Sequence, residues 1–595
     1  MELYWKLLCL WLFTRQWVLA QDPRPNTVRF ELTLTWEEWA PAGIPREMIL
    51  SNGQLPAPTL ELRQGDNVEF LVNNQLPFST TVHFHGIKQA GTPWSDGVPG
   101  LSQRPIEPGC QYLYKWKADQ YGSYMYHAHR RGQIDDGLYG AIYIHPDESV
   151  KKPFPLITSD PVELAAIELA ESATTPLVLS DWRKLTSEEL WASEEADGYD
   201  SYCVNALLLN GKGSISCLSQ EVLEDVLPPA TKGLMGDNHM SDIGCFPPLE
   251  PVQGNYSHNP NAVPPSVFSG CTPSQGSQEV LAVHSATRYV SYDLINAAGT
   301  LVLAFSIDEH PMYVYAVDGR YVEPTLVDAI HLINGARYSV MVPLDKPAGD
   351  YTVRLAAYGL SQIINGTGVL SYSDPIQRPR KPSTPSITIT GYNTTADTVF
   401  LDESTIVPFP VEVPSSDVVN TYILKLDHYG ASYRWTLGNS SFPLSLEDDF
   451  PVLFDVSSAP QGLSVQTLNG TWVDIIFHVS KPLQPPHPIH KHSNKYFVIG
   501  QGQGEWNYSS VTDALQYIPE SFNLEKPQLR DTFATPVAAT GPSWLAIRYQ
   551  VVNPGPFLLH CHVQIHLSGG MALALIDGVD AWPEVPDEYL YGSGF

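Results

Sequence analysis

The chain has 595 residues, with 34 Lys or Arg against 64 Asp or Glu, a formal charge of −30 that repels nucleic acid and anionic membranes, so neither is an expected partner. Its length implies two to four domains, and 43% hydrophobic with 16% charged residues excludes disorder for most of it. The 51 Pro and 43 Gly, with many aromatics, favour a turn-rich β protein over helix bundles.

From the N-terminus, Met1–Ala20 carries Lys6, an uncharged run Leu7–Phe13 and a small-residue end at Val18-Leu19-Ala20. This is the layout of a secretory signal peptide, although Arg15 shortens its apolar run. No other stretch reaches the roughly 18 apolar residues of a membrane span, and Tyr591–Phe595 is not an anchor. Alternating apolar runs predict strands at Val68–Val72, Leu301–Phe305 and Trp544–Tyr549. Helical signal is sparse, at Ser187–Trp191 and around Asp513–Leu515. A weak break falls near His145–Pro155, and a Pro- and Lys/Arg-rich linker is expected at Pro375–Pro385. The chain therefore reads as a leader (1–20) followed by three β-sandwiches at 21–150, 151–372 and 373–595. Six Asn-x-Ser/Thr sequons, at Asn255, Asn365, Asn393, Asn439, Asn469 and Asn507, agree with secretion, outside the cell or in its wall. Cys203, Cys217, Cys245 and Cys271 suit two disulfides, for which three pairings exist. Cys110 is left without a role.

The eighteen histidines carry the chemistry. Four His-x-His pairs occur: His83/His85, His127/His129, His490/His492 and His560/His562. Chance supplies about half of one pair at this length. On a strand, residues i and i+2 share a face about 7 Å apart, so each pair offers two imidazoles to metal. One pair alone would usually be a surface coincidence. Four, two near each end, predict that the first and last domains meet around a multi-metal cluster. His560-Cys561-His562 is followed by His566 and Met571, with His487 upstream. Two imidazoles, one thiolate and a weak thioether describe a blue-copper site better than a zinc site. Cys561 points away from His560 and His562 by strand alternation, so short backbone would link that site to the cluster.

His83-Phe84-His85-Gly86, Gly122–His129, His487-Pro488-Ile489-His490-Lys491-His492 and His560–Met571 resemble the four copper motifs of the multicopper oxidases. Leu207–Gly213 and Ser306–His310 resemble the middle domain of that family. The resemblance spans nearly the whole chain and implies an all-β fold of three cupredoxin-like Greek-key sandwiches holding four copper ions. It makes His487, Cys561 and His566 the type 1 ligands with Met571 axial, and His83 and His490 the type 2 ligands. His85, His127 and His562 would hold one type 3 copper, and His129, His492 and His560 the other. Asp96 matches an acidic residue that helps deliver protons. The chain departs from the common pattern at Lys491, Ser493 and Asn494, none a ligand position, and at Gln564, where some members carry a carboxylate. Gln cannot cycle a proton, which shifts that duty to Asp96 or water. Met571, where many fungal laccases have Leu or Phe, implies a lower type 1 potential and easily oxidised substrates.

The implied activity is one-electron oxidation of a small phenol, with four electrons reaching dioxygen to form two waters, in a monomer. Thr92–Gly97, Gly132–Gly140 and His490–His492 look most like filamentous-fungal laccases of pigment and polyketide pathways. A ferroxidase is the alternative, though no carboxylate trio or C-terminal span is recognisable. A non-catalytic copper-binding protein is the third, against which stands the complete ligand set.

Overall fold

A computed structural model describes residues 26–284, 286–373 and 382–590. The leader with Cys9, the tail 591–595 and most of the expected linker (374–381) lie outside them. Six sheets pair face to face as three sandwiches. In the first, a four-stranded sheet (strands within 27–117) packs on another (57–145) across a core containing Leu34, Phe70, Phe84 and Tyr126. In the second, six- and five-stranded sheets built from residues 175–373 enclose Leu294, Phe305 and Val340. The third repeats that six-on-five arrangement within 418–577, around Ile475, Tyr496 and Cys561. Strand order is non-sequential in all six sheets, and parallel pairs such as Thr27–Trp39 with Asn67–Asn74 mark the crossovers of Greek-key connections.

The expected strands appear as Asn67–Asn74, Leu303–Ile307 and Ser543–Gln550. The second starts two residues late because the backbone N–H groups of Gly299, Thr300 and Leu301 donate to the Asp181 carboxylate at 2.9, 2.9 and 3.0 Å, which holds a turn there. The helical signal at Ser187 extends to Asp197, opened by a Thr186/Glu189 capping box and ended by left-handed Gly198 (φ 81°). A helix at Pro161–Ser172 was not anticipated. Asp160 caps it and Pro161 starts it, while Ile167 and Ala170 are buried. Disulfides join Cys203 to Cys245 and Cys217 to Cys271, while Cys110 is free and half-buried. No helix among the described residues is long and apolar enough to cross a membrane.

Candidate metal centre

Two antiparallel ladders bring the histidines together. In the first sandwich Val82–His85 pairs with Gly122–Ala128, setting His83 opposite His127. In the third, Pro488–Lys491 pairs with Gly555–Cys561, setting His490 opposite His560 and Ile489 opposite Cys561. Alternation does the sorting. Phe84 and Cys561 enter the cores of their own sandwiches, whereas the flanking histidines point into the space between the sandwiches.

The eight rings of that space are buried and fall into sets whose donor atoms lie within 4.8 Å of one another: His83, His85 and His490; His85, His127 and His562; His129, His492 and His560. His492 Nε2 is 3.2 Å from His560 Nε2, and His562 Nε2 is 3.2 Å from His85 Nδ1. Outside the cluster, carbonyls fix the tautomers. Nδ1–H donates from His83 to Asp96 (2.6 Å), from His127 to Ala128 (2.8 Å), from His490 to Asp531 (2.9 Å) and from His560 to Cys561 (2.8 Å). Each then carries an Nε2 lone pair, and those of His83, His127 and His490, like Nε2 of His129, are buried with no hydrogen-bond partner. Burial lowers the pKa of every ring in the set, that of His560 to about 3 and of His127 to about 4, so all are neutral. Convergent unpartnered lone pairs are costly unless something accepts them. A metal that favours imidazole fits this donor set.

The second set is His487, Cys561 and His566. Their donor atoms form a triangle, with Nδ1 to Nδ1 at 3.3 Å and Cys561 Sγ at 3.9 and 3.5 Å from His487 and His566. Its centre lies about 2 Å from each, the length of a metal–donor bond. Burial pushes the Cys561 thiol up, so a thiolate there needs a cation beside it. Met571 is buried in the same core, and its backbone ties it to both donors: its N–H donates to the His566 carbonyl (2.9 Å) and its carbonyl accepts from Cys561 (3.1 Å). Trp435 packs against both rings.

Asp96 is fully buried beside the cluster. Its Oδ2 meets His492 Nδ1 at 2.9 Å, and burial raises its carboxyl well above the usual range, opposed by Lys491. Lys491 turns away from the histidines that flank it. Its ammonium donates to the carbonyls of His492 and Asn494 and lies 3.9 Å from Asp577, and burial lowers its pKa to about 8. Gln564 begins the short helix Gln564–Ser568 and donates to Ser568 Oγ.

Three residues near these sets escaped sequence reasoning. Asp531 and Thr532 orient His490 and His85, with Thr532 Oγ1 3.0 Å from His85 Nε2. Asp200 Oδ2 lies 3.8 Å from His566 Nε2, while its Oδ1 is buried and unpartnered.

Multicopper oxidase family models match residues 33–149, 173–375 and 447–581. The chain belongs to the multicopper oxidase family. It is 45% identical to Laccase abr2 of Aspergillus fumigatus, over 95% of this chain and 97% of that protein. It is 39% identical to Laccase 1 of Metarhizium acridum, over 98% of each. Among solved structures it superimposes on a Botrytis aclada laccase with TM-score 0.69 at 24% identity, covering 95% of this chain and 90% of that one. Fet3p, a multicopper oxidase that functions in iron import, gives 0.67 at 21% identity, covering 95% and 94%. This multicopper oxidase is laccase-like and uses oxygen as oxidant, and its family implies copper as the metal for these histidine sets.

Proposed function

We propose that this multicopper oxidase is a secreted, monomeric laccase that oxidises a small phenol, of the kind used to build pigments or polyketides. We assign four copper ions to its donor sets: type 1 to His487, Cys561 and His566 with Met571 axial; type 2 to His83 and His490; the type 3 pair to His85, His127 and His562 and to His129, His492 and His560. The observation that carries the reading is the juxtaposition at His560-Cys561-His562, where one peptide bond on each side joins a buried thiol of one donor set to imidazoles of the other. Bound copper supplies one-electron oxidation of the substrate and four-electron reduction of dioxygen. The chain supplies the rest. Trp435 and the buried cores keep water from the Cys561 set. Asp200 presents an unpartnered oxygen beside His566, and burial lifts its pKa to about 7, so it is placed to accept the proton that a phenol loses with its electron. Asp96 orients His492 and holds a proton next to the cluster.

Secretion is supported by the leader-like N-terminus, by two disulfides and by the sequons, of which all but half-buried Asn365 are exposed. We assign the domains to 21–150, 151–372 and 373–595, a division supported by sandwich strands that lie within 27–145, 175–373 and 418–577. A ferrous substrate would need several carboxylates at the His566 edge, where Asp200 stands among the described residues.

The test is a comparison of kcat/KM for a panel of phenols and for ferrous iron at one pH; a strong preference for iron overturns the substrate assignment. Cys561→Ser should abolish both the intense visible thiolate band and turnover while the fold remains, and retained turnover would sink the ligand assignment.

A further inference from the structure

Gln564 stands on the turn between His562 and His566, and its amide has no proton to release. It lines a cavity of about 40 Å³ bounded also by His127, His129, His560 and His562, and Glu447 lines the same cavity. That volume holds one or two water molecules. A larger cleft of about 270 Å³ shares Pro99 and Phe442 with it. Glu447 belongs to the short helical turn Leu444–Asp448 of the third sandwich. Its Oε1 accepts the Arg131 backbone N–H at 3.2 Å. Its Oε2 is buried without a hydrogen-bond partner, and so is Arg130 Nη1, 3.8 Å away. A water bridging the two would satisfy both.

Building on the four-copper assignment, we propose that Glu447 hands protons, through cavity water, to the histidine end where dioxygen is reduced, the task that Gln564 cannot perform. Dioxygen takes four electrons, one from each of four substrate molecules, and four protons, giving two waters. Each proton leaves the Glu447 O–H for a cavity water, and the carboxylate is reprotonated from water on the cleft side, so Glu447 undergoes no net change. The charged groups facing it agree with a donor. Burial raises its pKa to about 7, Arg130 and Arg131 pull it down, and Asp448 on its own turn pushes it up. Asp448 and Glu188 in turn pair with Arg130 and Arg131. The carboxyl is thus protonated below about pH 7 and loses its proton as pH rises through that value.

Glu447→Gln and Glu447→Asp in the copper-loaded enzyme test this. After complete anaerobic reduction, reoxidation by dioxygen should be about tenfold slower or worse in Glu447→Gln. Its fall with rising pH near 7 should vanish, while anaerobic reduction of the type 1 site by phenol keeps its rate. Glu447→Asp should restore the pH-dependent limb in part, which a merely structural role would not do. Infrared spectra of the unmodified enzyme should show a protonated-carboxyl band titrating near pH 7 to which Glu447 and Asp200 both contribute, and Glu447→Gln should lose the Glu447 part of it. That band also decides the matter, against the Asp variant, if the Gln chain does not fold. An unchanged reoxidation rate and limb in Glu447→Gln, or a band near pH 7 as strong as that of the unmodified enzyme, overturns the proposal. Failure of the four-copper assignment looks different: the unmodified chain itself would lack the thiolate band or hold fewer than four copper ions.

Discussion

Replacing Arg337 with Met tests whether the middle sandwich, which brings no metal donor, fixes the cluster's geometry. The guanidinium is fully buried and grips Asp531 with two bonds at 2.5 and 2.7 Å, with further bonds to the carbonyls of Gly335 (3.0 Å) and Ser123 (3.3 Å). Asp531 holds His490 through its carbonyl and lies 3.4 Å from His85 Nε2 through its carboxylate. Burial alone would raise that carboxyl, but Arg337 and Lys495 hold it well below the usual carboxylate range. Methionine fills much of the same volume while leaving a buried carboxylate with Lys495 as its remaining close cation. Stranding one partner of a buried pair costs about 3–5 kcal/mol, and Lys495 places this case at the lower end. Urea unfolding of the metal-free protein, followed by fluorescence alongside copper content of the loaded form, reads the loss. Arg337→Lys, which keeps the charge without the two-pronged geometry, should fall between. A change below about 1 kcal/mol with full copper retention would refute the reasoning.

Gly335 lies at φ +84°, and a Cβ there would sit 2.9 Å from ring atoms of His562 and His85. Gly335→Ala should therefore lower copper content at the His85 end of the cluster while the visible band of the Cys561 site survives, as metal analysis and absorption would show; full copper content with normal turnover would count against it. In the metal-free protein, burial keeps the ring pKa values depressed, His487 and His560 to about 3 and His127 to about 4. The unfolded chain binds protons first, near 6.5, so the stability from these groups is present above that pH and is lost as pH falls toward 3–4. Urea midpoints across pH 3–8 measure this, and a flat profile would contradict it.

The donors were legible because strand alternation makes His-x-His a local pattern, and Cys561 between two histidines is read by the same rule. What supports the donors was not. Asp531 is part of an Arg-Asp-Thr string that reads as an ordinary ion pair until Arg337, 194 positions away, packs on it. Asp200 sits in a loop and Glu447 on a short helical turn, and their approach to His566 and to the cavity depends on how separate parts of the chain meet. The helix at Pro161–Ser172 carried a local signal, Asp160-Pro161 with apolar positions at Ile167 and Ala170, that a β-dominated reading passed over. The cysteine pairing depended on chain path alone.

The two disulfides span separations of 42 and 54 residues in Cys203–Cys271, a stretch that contributes no metal donor. Gln253, inside it, grips Asp200 through two backbone bonds, at 2.9 and 3.0 Å. The wall beside His566 is thus fastened by covalent struts of its own, separate from the ladders that align the histidines. Chemical reduction of those struts should loosen substrate selection before it disturbs oxygen reduction.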